Sequence, residues 1–596
     1  MRPQKARHLY RLRQFLRRPE KSWAIILFLL LIILVVVPVV YIVINSFVFD
    51  AAGLRLVRGA EIGQATSFYW KRVLNSRISK AILYEPAVHS VTIAIGMTTI
   101  SITMGAFLAW LVVRTNLPWK RFFSMTLIIP YIVPSWTIAL AWIMVFKSKR
   151  FGGTPGLLNA MFGADVPEWI SFGYIPIVIA LGVHYIPYTF ILMRGALANI
   201  DSRLEESAEL LGASRFEILR KITFPITLPA LGSAFVLTFS KGLGEFATQA
   251  FLGLPIRYYT LSTRVYSALN NRLYGEGYVL ALILIITTAS MVWANQAILG
   301  TRKAFVTISG KGSRKKAVDL GVWRRPAAIL LLLFVLIFVL GPLFLLGWQT
   351  LMRYEGQYGL DNLTLHYWLG KADPALADGQ PGIFRNPFIL GAVKNSVLLA
   401  VCTSFTSGFL GILLGYAVVR NRGHFLSRAV ENLSFVPYMI PGIAFGGIFL
   451  TMFARSWGPM PALYGTFTLL VLTCTVKFLP YSSSSGIAAM HQIDPSLEEV
   501  GVIHNLPWRT RFARIVMPLS KAGILSAMLL TFITTMRVLD VVVLLVTPKT
   551  TLMTSIIFRY QTQDFTQHAY AIMLVIVCII LTAHFYLHRL GGKIEL

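Results

Sequence analysis

Asp201-Ser-Arg-Leu-Glu-Glu-Ser-Ala-Glu-Leu-Leu-Gly-Ala-Ser-Arg-Phe216 has a partner 293 positions later, Asp494-Pro-Ser-Leu-Glu-Glu-Val-Gly-Val-Ile-His-Asn-Leu-Pro-Trp-Arg509. Both are polar islands in an apolar chain. Of 596 residues, 56% are hydrophobic and 13% charged, with mean hydropathy +0.66; a soluble domain carries about 25% charged residues. The same offset relates the surroundings. Pro187-Tyr188 matches Pro480-Tyr481, Ile200 matches Ile493, and Ile222 and Pro225 match Ile515 and Pro518. Further upstream, Pro130-Tyr131-Ile132-Val133-Pro134 answers to Pro437-Tyr438-Met439-Ile440-Pro441, and Gly105 and Arg114 answer to Gly411 and Arg420. One match is chance; an ordered series is a repeat, so the chain reads as two copies of one unit.

Each unit is mostly membrane. Apolar runs such as Trp23 to Asn45, Ala327 to Trp348 and Tyr570 to Leu587 reach the ~20 residues that cross a bilayer as a helix. Lipid offers the backbone no hydrogen bonds, so such runs should be helical. Apolar runs and turn signals place six spans in the first half, near 23–45, 87–113, 122–146, 174–193, 224–250 and 277–299. Six more fall near 327–350, 393–419, 430–453, 463–485, 517–546 and 568–588. The expected fold is therefore an all-α polytopic membrane protein of about 12 transmembrane helices in two six-helix repeats. An even number of spans per repeat makes the repeats parallel, related by an axis along the membrane normal. The first run is longer than a signal-peptide core and no small-residue cleavage site follows it, so it reads as the first span.

Net charge is +30, which raises the question of nucleic acid. The basic residues gather where membrane topology wants them: eight Lys or Arg in 1–22, eight more in 301–325, and Arg114, Lys120, Arg121, Arg420, Arg422 and Arg428 between spans two and three of each half. Positive loops face the cytoplasm, which puts both termini inside, as Arg589 and Lys593 agree. Contact with anionic lipid headgroups is the expected role of this charge, and no nucleic-acid partner is expected. The resulting division is 1–22, a basic cytoplasmic N-terminus; 23–300, a first repeat; 301–325, a cytoplasmic linker; and 326–596, a second repeat. Cys402, Cys474 and Cys578 lie in apolar runs without zinc or redox spacing and say nothing of compartment.

The polar islands fall between the fourth and fifth span of each half, on the cytoplasmic side. Leu204, Ala208 and Leu211 share one helical face, and Glu205, Glu206 and Glu209 lie on others. Asp201 or Ser202 suits the N-cap, with acids in the first turn, and Gly212 suits a helix end. The pattern resembles the coupling motif of ABC importer permeases: Glu-Ala-Ala, three residues, Gly, nine residues, Ile-x-Leu-Pro. Glu206, Ala208, Gly212, Ile222 and Pro225 fall at that spacing, with Ser207 and Phe224 as substitutions. The second copy keeps Glu499, Ile515 and Pro518 but has Gly501 for the Ala and Asn505 for the Gly. Asn tolerates the left-handed conformation, so the break can survive there, although the two docking sites become unequal.

The resemblance implies a fused, binding-protein-dependent (MetI-like) permease with two coupling helices. Its expected ATPase-coupling residues are Leu204, Glu205, Glu206, Ala208 and Gly212, with Leu497, Glu498, Glu499 and Asn505. In that family a short helix docks into a groove of a separate ATPase, a helix-in-groove contact. The implied partners are two ATPase subunits, one extracytoplasmic solute-binding protein and membrane lipid, in the bacterial cytoplasmic (inner) membrane. The chain has no Gly-x4-Gly-Lys-Ser/Thr loop, so it is expected to be no enzyme and to hold no cofactor; ATP and magnesium would belong to the partner ATPase.

Candidate cargo-path residues are Pro130, Tyr131, Pro134, Pro437, Tyr438 and Pro441. Prolines inside spans free carbonyls and are tolerated where helices pack or line a cavity, so a kink at the pathway and a kink for packing alone both remain open. Glu245, Arg537 and Asp540, with Lys241 nearby, are expected near the outer mouth, either in the path or as a structural ion pair. His184 and Lys477 occupy matched positions. The layout resembles ferric iron permeases; relatives serving phosphonates, sugar phosphates or thiamine look similar. Ferric iron prefers oxygen donors, no ligand cluster in the spans demands it, and a metal site is unknown. The alternatives of another class are an ion-coupled secondary transporter and a membrane scaffold.

Overall fold

The computed structural model describes residues 19–590 except 199, 201, 301–316, 358 and 457–460. Asp201 as a cap, Lys593 and most of the basic N-terminus and linker lie outside the described residues, as do the side chains of Ser202 and Arg589. Among the described residues the secondary structure is helical, and strand-like pairing is limited to isolated bridges.

Among the described residues, eight helices are long and apolar enough to cross a membrane. They are α1 (Pro19–Asn45), α2 (Lys80–Arg114), α5 (Glu168–Ala198), α7 (Phe216–Gly244), α8 (Tyr274–Ala294), α9 (Gly321–Thr350), α10 (Pro387–Arg420) and α17 (Thr566–Tyr586). Three more crossings are broken. α3 (Lys120–Ile132) meets α4 (Trp136–Phe146) at 88°, α11 (Phe425–Met439) meets α12 (Gly442–Met452) at 104°, and α15 (Trp508–Leu519) meets α16 (Lys521–Met536) at 73°. The remaining expected span, near 463–485, is α13 (Phe467–His491). It has the length to cross, but Lys477, Pro480 and Ser482 to Ser485 make it less apolar than the others. The short cytoplasmic-loop helices of the sequence reading are α6 (Ser202–Leu210) and α14 (Ser496–Ile503).

Proline explains much of this shape. It has no N–H and its ring crowds the carbonyl a turn earlier. Among the described residues, five π-helical turns occur, at Ile32–Val36, Lys80–Tyr84, Leu219–Thr223, Leu336–Leu340 and Phe512–Val516. Each ends two residues before a proline: Pro38, Pro86, Pro225, Pro342 and Pro518. The wider turn absorbs the missing bond without stopping the helix. At Pro130–Pro134 and Pro437–Pro441 the helix breaks outright, whereas Pro225 and Pro229, also four apart, lie within the continuous α7. Val133 and Ile440 are extended, with ψ 157° and 121°. Spans 122–146 and 430–453 are therefore not single straight helices as expected. Span 224–250 ends at Gly244, and span 517–546 stops being helical at Met536.

Within each half the tightest packing joins the second and fourth spans, α2 with α5 and α10 with α13. Small residues permit it, as in membrane helix pairs generally. Ser101 bonds the Tyr185 carbonyl and Thr189, both at 2.8 Å; Ser407 bonds Ser482 at 2.7 Å. A Cβ on Gly411 would sit 2.4 Å from the Ser482 carbonyl oxygen, and one on Gly486 2.0 Å from that of Gly411. The first helix of each half crosses over: α1 packs on α10, α11 and α12, while α9 packs on α3 and α4.

Candidate functional site

The repeated polar islands form matched sites. α6 ends at Gly212, whose φ is +84°. The Ala213 amide donates to the Ala208 carbonyl and the Gly212 amide to that of Glu209, both at 3.0 Å. This is the Schellman ending, which needs a left-handed residue. α14 ends the same way at Asn505, φ +53°. Leu506 donates to Gly501 and Asn505 to Val502, both at 2.9 Å. The drifted second copy thus keeps the break through Asn.

The motif singles out Glu206 and Glu499; the structure gives their neighbours Glu205 and Glu498 a distinct, inward role. Glu205 turns inward, pairing with Arg114 and accepting from Thr223 Oγ1 at 2.8 Å. Glu498 accepts from Arg420 Nε at 2.8 Å and from the Tyr416 hydroxyl at 3.1 Å. Each pair ties the short helix to the end of its own half's second span. The sequence marks Arg114 and Arg420 as matched repeat positions and topology signals, not as partners of the islands; their matched positions beside matched acids were the available clue. Glu206 is half-buried and Glu499 exposed. The outward faces are apolar: Leu204, Leu210 and Leu211 on the first helix, and Leu497, Val500 and Ile503 on the second, are all exposed. Ala208 is half-buried beneath the first face. At the start of the second island, Asp494 accepts from the Ser496 amide at 2.9 Å, which holds its carboxyl below the ordinary range.

The four candidate prolines converge on a cavity of about 200 Å³ between the halves. Tyr131, Pro134, Tyr438 and Pro441 line it together with Glu245, Arg537, Asp540, Lys241, His184 and Lys477; Pro130 and Pro437 supply backbone just behind. Glu245, Arg537 and Asp540 are thus not apart from the proline breaks at an outer mouth. α7 and α16 unwind beside the breaks and carry these groups into the same space.

They form no ion pair with each other among the described residues. The breaks free carbonyls, and cations take them. Arg537 donates to the Tyr131 and Ile132 carbonyls, reaching from the second half to the first, and lies 5.2 Å from the Tyr131 ring centroid. Lys477 donates to the Pro437 carbonyl at 2.9 Å and to that of Ile440. Thr288 donates to Met439 at 2.9 Å. His184, matched to Lys477 in sequence, faces the Pro130 backbone. Glu245 accepts from Ser135 Oγ at 2.9 Å and from the Thr248 and Gln249 amides. Asp540 accepts from the Val541 amide at 2.9 Å.

Comparison with known proteins accords with this duplication. The sequence matches the family described as binding-protein-dependent transport system inner membrane component twice, over residues 101–298 and 407–590. The chain belongs to that family. As a family member it is a multi-span transport permease of the inner membrane. It is 26% identical over 436 residues to the ferric transport system permease protein FbpB of Actinobacillus pleuropneumoniae, a match covering 72% of this chain and 60% of that protein. It is 28% identical over 267 residues to the spermidine/putrescine transport system permease protein PotC of Haemophilus influenzae, covering 45% and 91%. Among solved structures, a bacterial ABC transporter involved in import of the acidic polysaccharide alginate aligns with TM-score 0.35 and 18% identity, over 45% of this chain and 96% of that one.

Proposed function

We propose that this family member is the membrane-spanning subunit of an ATP-driven importer. It supplies both membrane halves and both docking helices, two separate ATPase subunits bind α6 and α14, and an external binding protein delivers the cargo. ATP and magnesium act in the ATPase partners, and the docking helices face the cytoplasm. The observation that carries this reading is the duplicated short helix: apolar side chains outward, a buried glutamate–arginine tie inward, and a left-handed stop at Gly212 and Asn505. Such a helix fits a groove, and its tie transmits movement to the end of a spanning helix. Closure of an ATPase dimer would then rock α2 and α10 and open the cavity at the proline breaks to one side or the other.

Ferric iron is the cargo reading supported by the relative that matches most of the chain. A polyamine cargo, named for a relative that matches less than half of it, fits poorly with a cavity lined by Lys241, Lys477 and Arg537. The test is uptake of radioactive iron into proteoliposomes holding this chain, the ATPase and the loaded binding protein. Uptake should need ATP and survive an uncoupler. Uptake that ignores ATP and collapses with the uncoupler would establish an ion-coupled transporter instead.

A further inference from the structure

The cavity carries three cationic side chains against two carboxylates, and each carboxylate already accepts from the protein. Glu245 is held by a serine hydroxyl and two amides, and Asp540 by the Val541 amide. Two of the cations are occupied as well, because Arg537 and Lys477 serve the carbonyls freed at the breaks. Lys241 is different. Its ammonium stands 4.2 Å from the Tyr438 ring centroid, and among the described residues it has neither a carboxylate partner nor a hydrogen-bond acceptor. An ammonium has three donors to satisfy, and a ring face satisfies none of them as an acceptor lone pair would.

Two further polar atoms beside it are unpaired. Ser240 Oγ and His184 Nδ1 are buried without a hydrogen-bond partner, and both residues line the cavity. Unsatisfied buried polar atoms are rare and call for an explanation. A free ammonium and a free hydroxyl, facing a space between tyrosine rings, make a receptor for a group rich in lone pairs and negative charge. A bare cation finds the reverse: no group of three or more His, Cys, Asp or Glu able to hold a metal exists among the described residues.

We propose that the cavity binds an oxyanion, phosphoryl or carboxylate, with Lys241 as its charged contact, so that cargo crosses as an anion. This rests on the importer reading only in taking the cavity as the cargo path. For a metal cargo it means transit inside an anionic chelate; for an organic cargo, the oxyanion is part of the molecule itself. Lys241 has no cationic counterpart in the second half, where Thr534 stands at the matched position and also lines the cavity. The anion site is therefore single and offset toward the first half.

The experiment is calorimetric titration of the full purified chain in lipid nanodiscs with inorganic phosphate, methylphosphonate, citrate and ferric citrate, and with spermidine as a cationic control. At least one anion should bind, spermidine should not, and Lys241→Gln should weaken anion binding at least tenfold while Lys241→Arg retains it. Binding of phosphate or methylphosphonate identifies a cargo-borne oxyanion; ferric citrate binding more tightly than citrate identifies a chelate. Absence of binding by all four anions, or equal binding by Lys241→Gln, overturns the proposal. Ser240→Ala, a milder change, should weaken the same anion, so the idea does not depend on the folding of one variant. Copurification of the ATPase tests the importer reading separately, and its failure would leave the titration result standing.

Discussion

At the scale of single residues, the account turns on which of two adjacent glutamates matters for the fold. Arg114 and Glu205 have side chains 6% and 18% exposed, and Arg420 and Glu498 10% and 9%. Removing one member of such a pair strands a charge in a poor dielectric, which costs about 3–5 kcal/mol where burial is complete. Glu205→Ala and Glu498→Ala should therefore each lower the unfolding temperature of the detergent-purified chain clearly, Glu205→Ala at least as much because the Arg114 it strands is the more buried arginine. Glu206→Ala and Glu499→Ala should leave that temperature nearly unchanged while still impairing uptake if they touch the ATPase. The sequence shows four matched glutamates and two matched arginines, but not which glutamate meets the arginine. That depends on the rotation of a nine-residue helix against a span some 90 residues earlier. Asp494 adds a pH dependence. Its carboxyl is held below the ordinary range by the Ser496 amide, so its contribution is present above the unfolded value of about 3.9 and is lost as pH falls through the lower folded value. The first turn of α14 should loosen only in acid below about pH 4, and Asp494→Asn, which keeps an accepting oxygen, should remove that acid sensitivity. Site-directed spin-label mobility at Ser496 against pH is the readout.

At the scale of elements, the helix stops were legible and the bends were not. Gly212 and Asn505 announced left-handed stops, and both have positive φ. A Cβ in that conformation costs about 1–2 kcal/mol, so Gly212→Val should destabilise α6 by roughly that amount, whereas Asn505→Gly should be neutral or mildly stabilising; chemical denaturation monitored by fluorescence separates the two. Proline pairs announced a kink but not one near a right angle. Its size depends on what receives the freed carbonyls. At the first break that is Arg537, more than 400 residues away and in the other half. Arg537→Leu should leave those carbonyls unpaired and reduce uptake more than tenfold, while Arg537→Lys should recover part of it, because the requirement is for donors at that place. The same long-range contact explains why Glu245, Arg537 and Asp540 were expected at an outer mouth. That expectation assumes that the spans run on as straight helices, and α7 and α16 unwind at Gly244 and Met536 instead.

At the scale of the whole molecule, the duplication was legible from Pro130 to Pro518 because both copies keep prolines and charges in the same order, 307 positions apart at the first proline pair and 293 apart from Pro187 onward. The exchange of first helices was not, since apolar α1 and α9 carry no sign of which half they cover. Crossing makes the halves interdependent: α1 completes the second half and α9 the first. Two co-expressed fragments, divided within 301–316, should therefore copurify, whereas each alone should be degraded. The crossing also ties together the two halves that carry α6 and α14, and the proposed function has two ATPase subunits act on that pair of helices at once. The most direct test of that claim is the mass of the intact complex purified through a tag on this chain. One copy bound to two ATPase subunits, falling apart when Leu204 and Leu497 are both replaced by Asp, is the predicted result. A complex with two copies of this chain, or a chain that carries no ATPase at all, would contradict it.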